Sequence, residues 1–170
     1  MEAIAPVIDV ITGFLKQIGI AFEFRPISGD CFMPGITLEN GVILIEIEKL
    51  IYPGDILHEA GHVATTPPAL RETMAGNLPA NDLNLTGEIL SQAWCYAACL
   101  HLGLHPSVVF HEGGYRGGGS HIINSFEEGA ETGVPGLQWL GMAYEKKKAA
   151  ELKVPAFPHM IRWTRQNEPR

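Results

Sequence analysis

The chain has 170 residues, 46% hydrophobic and 18% charged, proportions of an ordinary folded globule with one domain and a real core. A net charge of -7 argues against nucleic acid as the main partner, and no apolar run reaches the length of a membrane span. The start, Met1-Glu2-Ala3-Ile4, lacks the basic region of a signal peptide, and three cysteines without a framework spacing fit a reducing compartment, so a cytoplasmic protein is expected.

The predicted elements run in an α+β order, with no internal repeat. Residues 3–18 place Ile4, Val7, Ile8, Ile11, Phe14, Leu15 and Ile18 on one stripe, the pattern of an amphipathic helix that covers a sheet. Residues 20–26 alternate, with Ile20, Phe22 and Phe24 on one face and Glu23 and Arg25 on the other, which reads as a strand. Gly35–Leu38 and Val42–Ile47 flank Glu39-Asn40-Gly41, and Asn-Gly is a strong hairpin signal. A small antiparallel sheet is therefore expected before the helices that carry the chemistry.

The next helix holds the most informative string, His58-Glu59-Ala60-Gly61-His62. After the break at Pro53-Gly54-Asp55, either Asp55 or Gly54 can cap it. Ile56, Leu57, Ala60, Val63 and Ala64 form its apolar side, and Thr65-Thr66-Pro67-Pro68 ends it. Histidines four apart on a helix project from one face and can grip a single metal ion, while the adjoining Glu59 can serve a metal-bound water. That combination is the core of a zinc-dependent hydrolase site, most often a peptidase. Gly61 inside the helix costs about 1 kcal/mol against alanine, which points to a second backbone or helix approaching closely.

Two imidazoles leave a tetrahedral zinc short of one protein ligand and a water. Glu88 is the best candidate, at the head of an apolar segment, Thr86 to Leu100, that reads as a buried helix capped by Asn84 or Thr86. A carboxylate in such a helix needs a partner, and a metal ion is one. Glu72, Asp82 or a further histidine are the rival ligands; Glu72 and Asp82 lie in the polar connection between the helices. Gly61 and Gly87 are expected to ease the approach of the two helices.

His58-Glu59-Ala60-Gly61-His62 followed by a glutamate on a second buried helix resembles the gluzincin branch of zinc metallopeptidases, in a minimal form like that of some small bacterial proteins. The resemblance spans about residues 40 to 100. It implies a zincin-like fold, Zn2+ held by His58, His62 and Glu88, and Glu59 as general base toward a peptide or small amide substrate. The chain departs from the familiar third-ligand string Asn-Glu-x-x-Ser-Asp; here it reads Gly87-Glu88-Ile89-Leu90-Ser91-Gln92. A non-proteolytic metal- or partner-binding protein on the same scaffold is the alternative.

Beyond His101 the pattern is less regular. His105-Pro106 opens a short helix toward His111, and Gly113-Gly114-Tyr115-Arg116-Gly117-Gly118-Gly119 reads as a mobile flap over the site or a plain surface loop. Trp139, Leu140 and Met142 are expected to pack on the domain. His111, Tyr115, Arg116 and His121 are candidates for stabilising an oxyanion. Cys95, Cys99, His101 and His105 are spaced for a second metal site or, more simply, are a core helix and its end; Cys31 stands beside no obvious base. The reading is one domain over residues 1–144 and a basic segment, 145–170, holding seven of the twelve Lys and Arg residues against three acids. That segment either clamps onto the acidic body or a second subunit, or is a solvated end.

Overall fold

The computed structural model describes residues 4–29, 31–76 and 82–166, with backbone alone for 82–86. Among them it is a mixed α+β structure with a three-stranded sheet and seven α-helices. No helix of the described residues is long and apolar enough to cross a membrane.

Helix α1 (Ala5–Ile18) buries Ile8, Ile11, Phe14 and Leu15, the stripe expected of it. The strands are β1 (Phe22–Phe24), β2 (Ile36–Glu39) and β3 (Val42–Ile45), in the order β1-β3-β2. Asn40 and Gly41 join β2 to β3 with φ of 51° and 75°, the mirror-image turn that Asn-Gly favours. The antiparallel expectation holds only for this hairpin, where Ile36 pairs with Ile45 and Leu38 with Ile43. β1 runs parallel to β3, with Phe22 opposite Ile43. The chain reverses once between β1 and β2 and once in the hairpin, so β1 and β3 point the same way. Phe24, on the apolar face of the strand pattern, is 49% exposed, at the end of a short edge strand.

Helix α2 (Asp55–Thr65) follows, with Gly54 rather than Asp55 at its N-cap. It touches β2, β3 and α1, and packs most extensively against α4 (Asp82–His101). Helix α3 (Pro68–Arg71) is a single turn between them. α4 begins earlier than the apolar pattern indicated, so Asn84 and Thr86 lie within it and do not cap it; their side chains and that of Asp82 fall outside the described residues. Fully buried Ala93, Ala97 and Ala98, at 0%, 1% and 0% exposure, let neighbouring elements close on α4.

Gly61 is where α2 and α4 meet. A Cβ placed there would stand 2.3 Å from Ser91 Oγ and 3.1 Å from Cys95 Sγ. Ser91 Oγ donates to the His58 carbonyl at 3.2 Å, and Cys95 Sγ to that of Leu57 at 3.3 Å. Gly87 plays no such part, since a Cβ there meets nothing within 4 Å.

The later chain wraps this pair. A 3-10 turn, Pro106–Val108, stands where a short helix toward His111 was expected. Helices α5 (Gly119–Glu127), α6 (Val134–Trp139) and α7 (Lys146–Leu152) follow. Met142 is fully buried and Leu140 packs on the core, but Trp139 is 65% exposed, contrary to expectation. Residues 145–166 fold back onto the body. Trp163 makes edge contacts with Phe14 and Trp94, its carbonyl accepts from Trp94 Nε1 at 2.8 Å, and the Arg165 amide donates to Ala64 at 2.7 Å.

The close approach at Gly61 is testable. Gly61→Val should destabilise the fold by about 3 kcal/mol through overpacking, read as a lower melting temperature. Adding Ser91→Ala should restore part of the loss, because it removes the nearest atom. Wild-type stability in the single variant would show that the helices do not meet there.

Candidate metal centre

Two helices supply the donors. α2 sets His58 and His62 on one face because residues four apart stack in a helix, and α4 brings Glu88 to that face. His62 Nε2 lies 3.2 Å from His58 Nε2 and 3.2 Å from Glu88 Oε2, and His58 Nε2 lies 3.8 Å from the same oxygen. Among the described residues these three form the group of His, Cys, Asp or Glu close enough to hold a metal ion, all donors within 4.8 Å of one another. An ion with tetrahedral bonds of about 2.0–2.2 Å separates neighbouring donors by roughly 3.3–3.6 Å. The edges of the triangle, 3.2, 3.2 and 3.8 Å, bracket that range, and its nitrogen and oxygen donors suit a borderline transition metal.

The electrostatics match the geometry. Burial, with the neighbouring His62 adding to it, holds His58 down to about 4, so its imidazole is neutral and has a lone pair to offer. For His62, burial pulls downward but is outweighed by the hydrogen bond to Glu88 and the charges of Glu59 and Glu88, and its pKa is raised. Glu88 is the reciprocal case: burial pushes upward, the bond to His62 and the two imidazoles prevail, and the carboxyl is lowered. Gln92, one turn on, donates to Glu88 Oε1 at 3.4 Å.

Glu59 lies beside these donors in a different state. Burial pushes its carboxyl up to about 7, with His62 opposing and the charges of Asp55 and Glu88 adding. Among the described residues its carboxylate has no hydrogen-bond partner, in contrast to Glu88 and Asp55.

The glycine-rich segment lies over the site and packs on it through Tyr115. Tyr115 reaches His58, its hydroxyl 2.8 Å from Nδ1, and its ring packs on Phe110. Tyr115 and Arg116 carry φ of 52° and 53°, a strained backbone that non-glycine residues adopt only when their surroundings hold it. Four residues earlier, His111 Nε2 sits 2.9 Å from Asp55 Oδ1, and its ring stacks on Tyr52 at 3.7 Å and 9°. Of the oxyanion candidates, then, Tyr115 is engaged with His58 and His111 with Asp55, while the Arg116 and His121 side chains are exposed.

The other candidate ligands are placed apart from this group. Glu72 is exposed at the end of α3, and the Asp82 side chain is outside the described residues. Cys95 and Cys99 are core thiols; burial raises both, Cys99 to about 12. His101 packs on Phe14 and Trp163, His105 caps the turn at Ser107, and Cys31 lies half-buried in the loop before β2. The sequence offered Asp55 only as a helix cap and gave Tyr52 and Ser91 no role. An acid three residues before His58, on the same helix face, is the signal for Asp55, and it reads equally as a cap.

No protein-family model, curated protein or solved structure matches the chain. The site therefore stands on its own geometry: a three-donor cluster able to hold a metal, on a mixed α+β frame.

The state of Glu59 has a consequence for stability. Its folded pKa lies above the ordinary 4.5, so the fold favours the neutral acid; that stability is complete below pH 4.5 and is lost as pH rises toward about 7. In metal-free protein, Glu59→Gln should therefore stabilise relative to wild type, and the gain should grow across that interval. Denaturant titrations of both proteins at about pH 5, near the lower end of that interval, and about pH 8, above its upper end, check this; an equal gap at both would refute it.

Proposed function

We propose that the protein is a zinc-dependent hydrolase of the gluzincin type, a minimal zincin-like metallopeptidase acting on a peptide or small amide. The observation that carries the reading is the triangle of His58 Nε2, His62 Nε2 and Glu88 Oε2 beside a carboxyl, Glu59, that lies near neutrality. His58, His62 and Glu88 would hold the ion. Structural zinc sites usually close with four protein ligands, often cysteine, whereas catalytic ones use three and leave a position open. The described residues offer three donors, none a cysteine.

When bound, the ion supplies a Lewis acid that polarises a carbonyl and acidifies water. The chain supplies the proton transfers. Glu59 has an affinity for protons matched to neutral pH, so its carboxylate can take a proton from the attacking water and, once protonated, deliver it to the leaving nitrogen. With no hydrogen-bond partner among the described residues, both its oxygens are available for this exchange. Glu88 stays ionised through its contact with His62, so it serves as a ligand rather than a base.

Three variants test this reading. Purified wild type should carry about one zinc per chain by elemental analysis. Glu88→Ala should weaken zinc affinity strongly and remove most of the metal-dependent rise in melting temperature, while Glu72→Ala leaves both unchanged. Glu59→Gln should retain zinc and lose peptide or amide hydrolysis by about 10²–10⁴-fold. A protein that takes up no transition metal when zinc is supplied overturns the proposal. A Glu59→Gln enzyme as active as wild type removes Glu59 as the base.

A further inference from the structure

We propose that Tyr115 is the outer partner of the His58 ligand: its hydroxyl oxygen accepts the Nδ1 proton and thereby fixes the imidazole with its Nε2 lone pair toward the metal. The assignment rests on His58 being a ligand, as argued above, and gives the glycine-rich segment a positioning role at that site.

Ligation through Nε2 sets the direction. A metal held by His58 Nε2 takes that nitrogen's lone pair, so the imidazole proton is on Nδ1. Tyr115 Oη, 2.8 Å from Nδ1, is then the acceptor for it. On its other side His58 Nε2 faces His62 Nε2 at 3.2 Å and Glu88 Oε2 at 3.8 Å, the other two donors of the group. The contact on Nδ1 thus aims the ligand before the ion arrives.

The fold holds Tyr115 to this task at two points of one helix face. Asp55, three residues before His58 on α2, binds His111, and Tyr115 binds His58 itself. Between the anchors the chain lies flat on Tyr52, where a Cβ at Gly113 would come 2.6 Å from Cε2. Phe110, at 5.2 Å and 48°, and the edge of His58, at 5.8 Å and 72°, fix the tyrosine ring. The left-handed backbone at Tyr115 is the turn that delivers the hydroxyl to Nδ1.

Tyr115→Phe keeps the ring and removes the acceptor. Zinc titration by calorimetry should show affinity reduced about 10–100-fold, with the melting temperature of metal-free protein little changed. Long-range 15N–1H NMR of metal-free protein should show His58 as the Nδ1–H tautomer in wild type and as a mixture in the variant. Tyr115→His, which can again present an acceptor nitrogen, should recover part of the tautomer preference. An unchanged tautomer in Tyr115→Phe, or wild-type zinc affinity in that variant, overturns the assignment. If wild-type protein itself fails to bind zinc, the metal reading fails on its own, and the tautomer measurement still judges the contact between Tyr115 and His58.

Discussion

The site depends on the contact between α2 and α4 at Gly61. A histidine pair on one helix is a two-donor comb; it becomes a three-donor centre only if a second helix comes near enough to place a carboxylate beside it. Ser91 and Cys95 occupy the space a side chain at position 61 would take, and both donate to carbonyls of α2. Ser91 is three residues beyond Glu88, so the contact that seats the helices also sets where Glu88 emerges. The contact is local, yet it couples residues far apart in sequence.

That closeness concentrates charge in little water. Asp55, Glu59 and Glu88 are three acids among the imidazoles of His58, His62 and His111, and burial opposes ionisation in each acid. Two are answered: Asp55 by His111, and Glu88 by His62. Glu59 has no such partner among the described residues, and it is the acid whose pKa climbs to near neutrality. In the proposed reading this difference sorts ligand and anchor from base.

Much of this was legible because it was local. The stripe of α1, the Asn40-Gly41 turn and the helix carrying His58 and His62 follow from spacing and backbone chemistry within a few residues. Gly61 read correctly because a glycine inside a helix has a cost that some neighbour must explain. Gly87 invited the same argument and failed it: it faces open space, and nothing in the sequence separates the two cases. The direction of β1 was hidden because it depends on how the loop between Phe24 and Ile36 reverses, not on the strand itself. The partnership of Asp55 with His111 was hidden because neither residue is unusual without the other.

The glycine-rich segment shows that glycine serves close packing as well as conformational freedom. Seven residues with five glycines read as a flexible strip, but glycine also permits close packing, and here that property prevails. Gly113 lies on Tyr52, and Gly119 lies against the Phe110 carbonyl, 2.2 Å from where a Cβ would stand. The non-glycine residues in the middle, Tyr115 and Arg116, adopt the strained backbone instead. Strain in that position persists only if both flanks are pinned, and both are: His111 by Asp55 on one side, the start of α5 on the other. The glycines thus let the strip lie close against its neighbours, with Tyr115 delivered to His58 on α2.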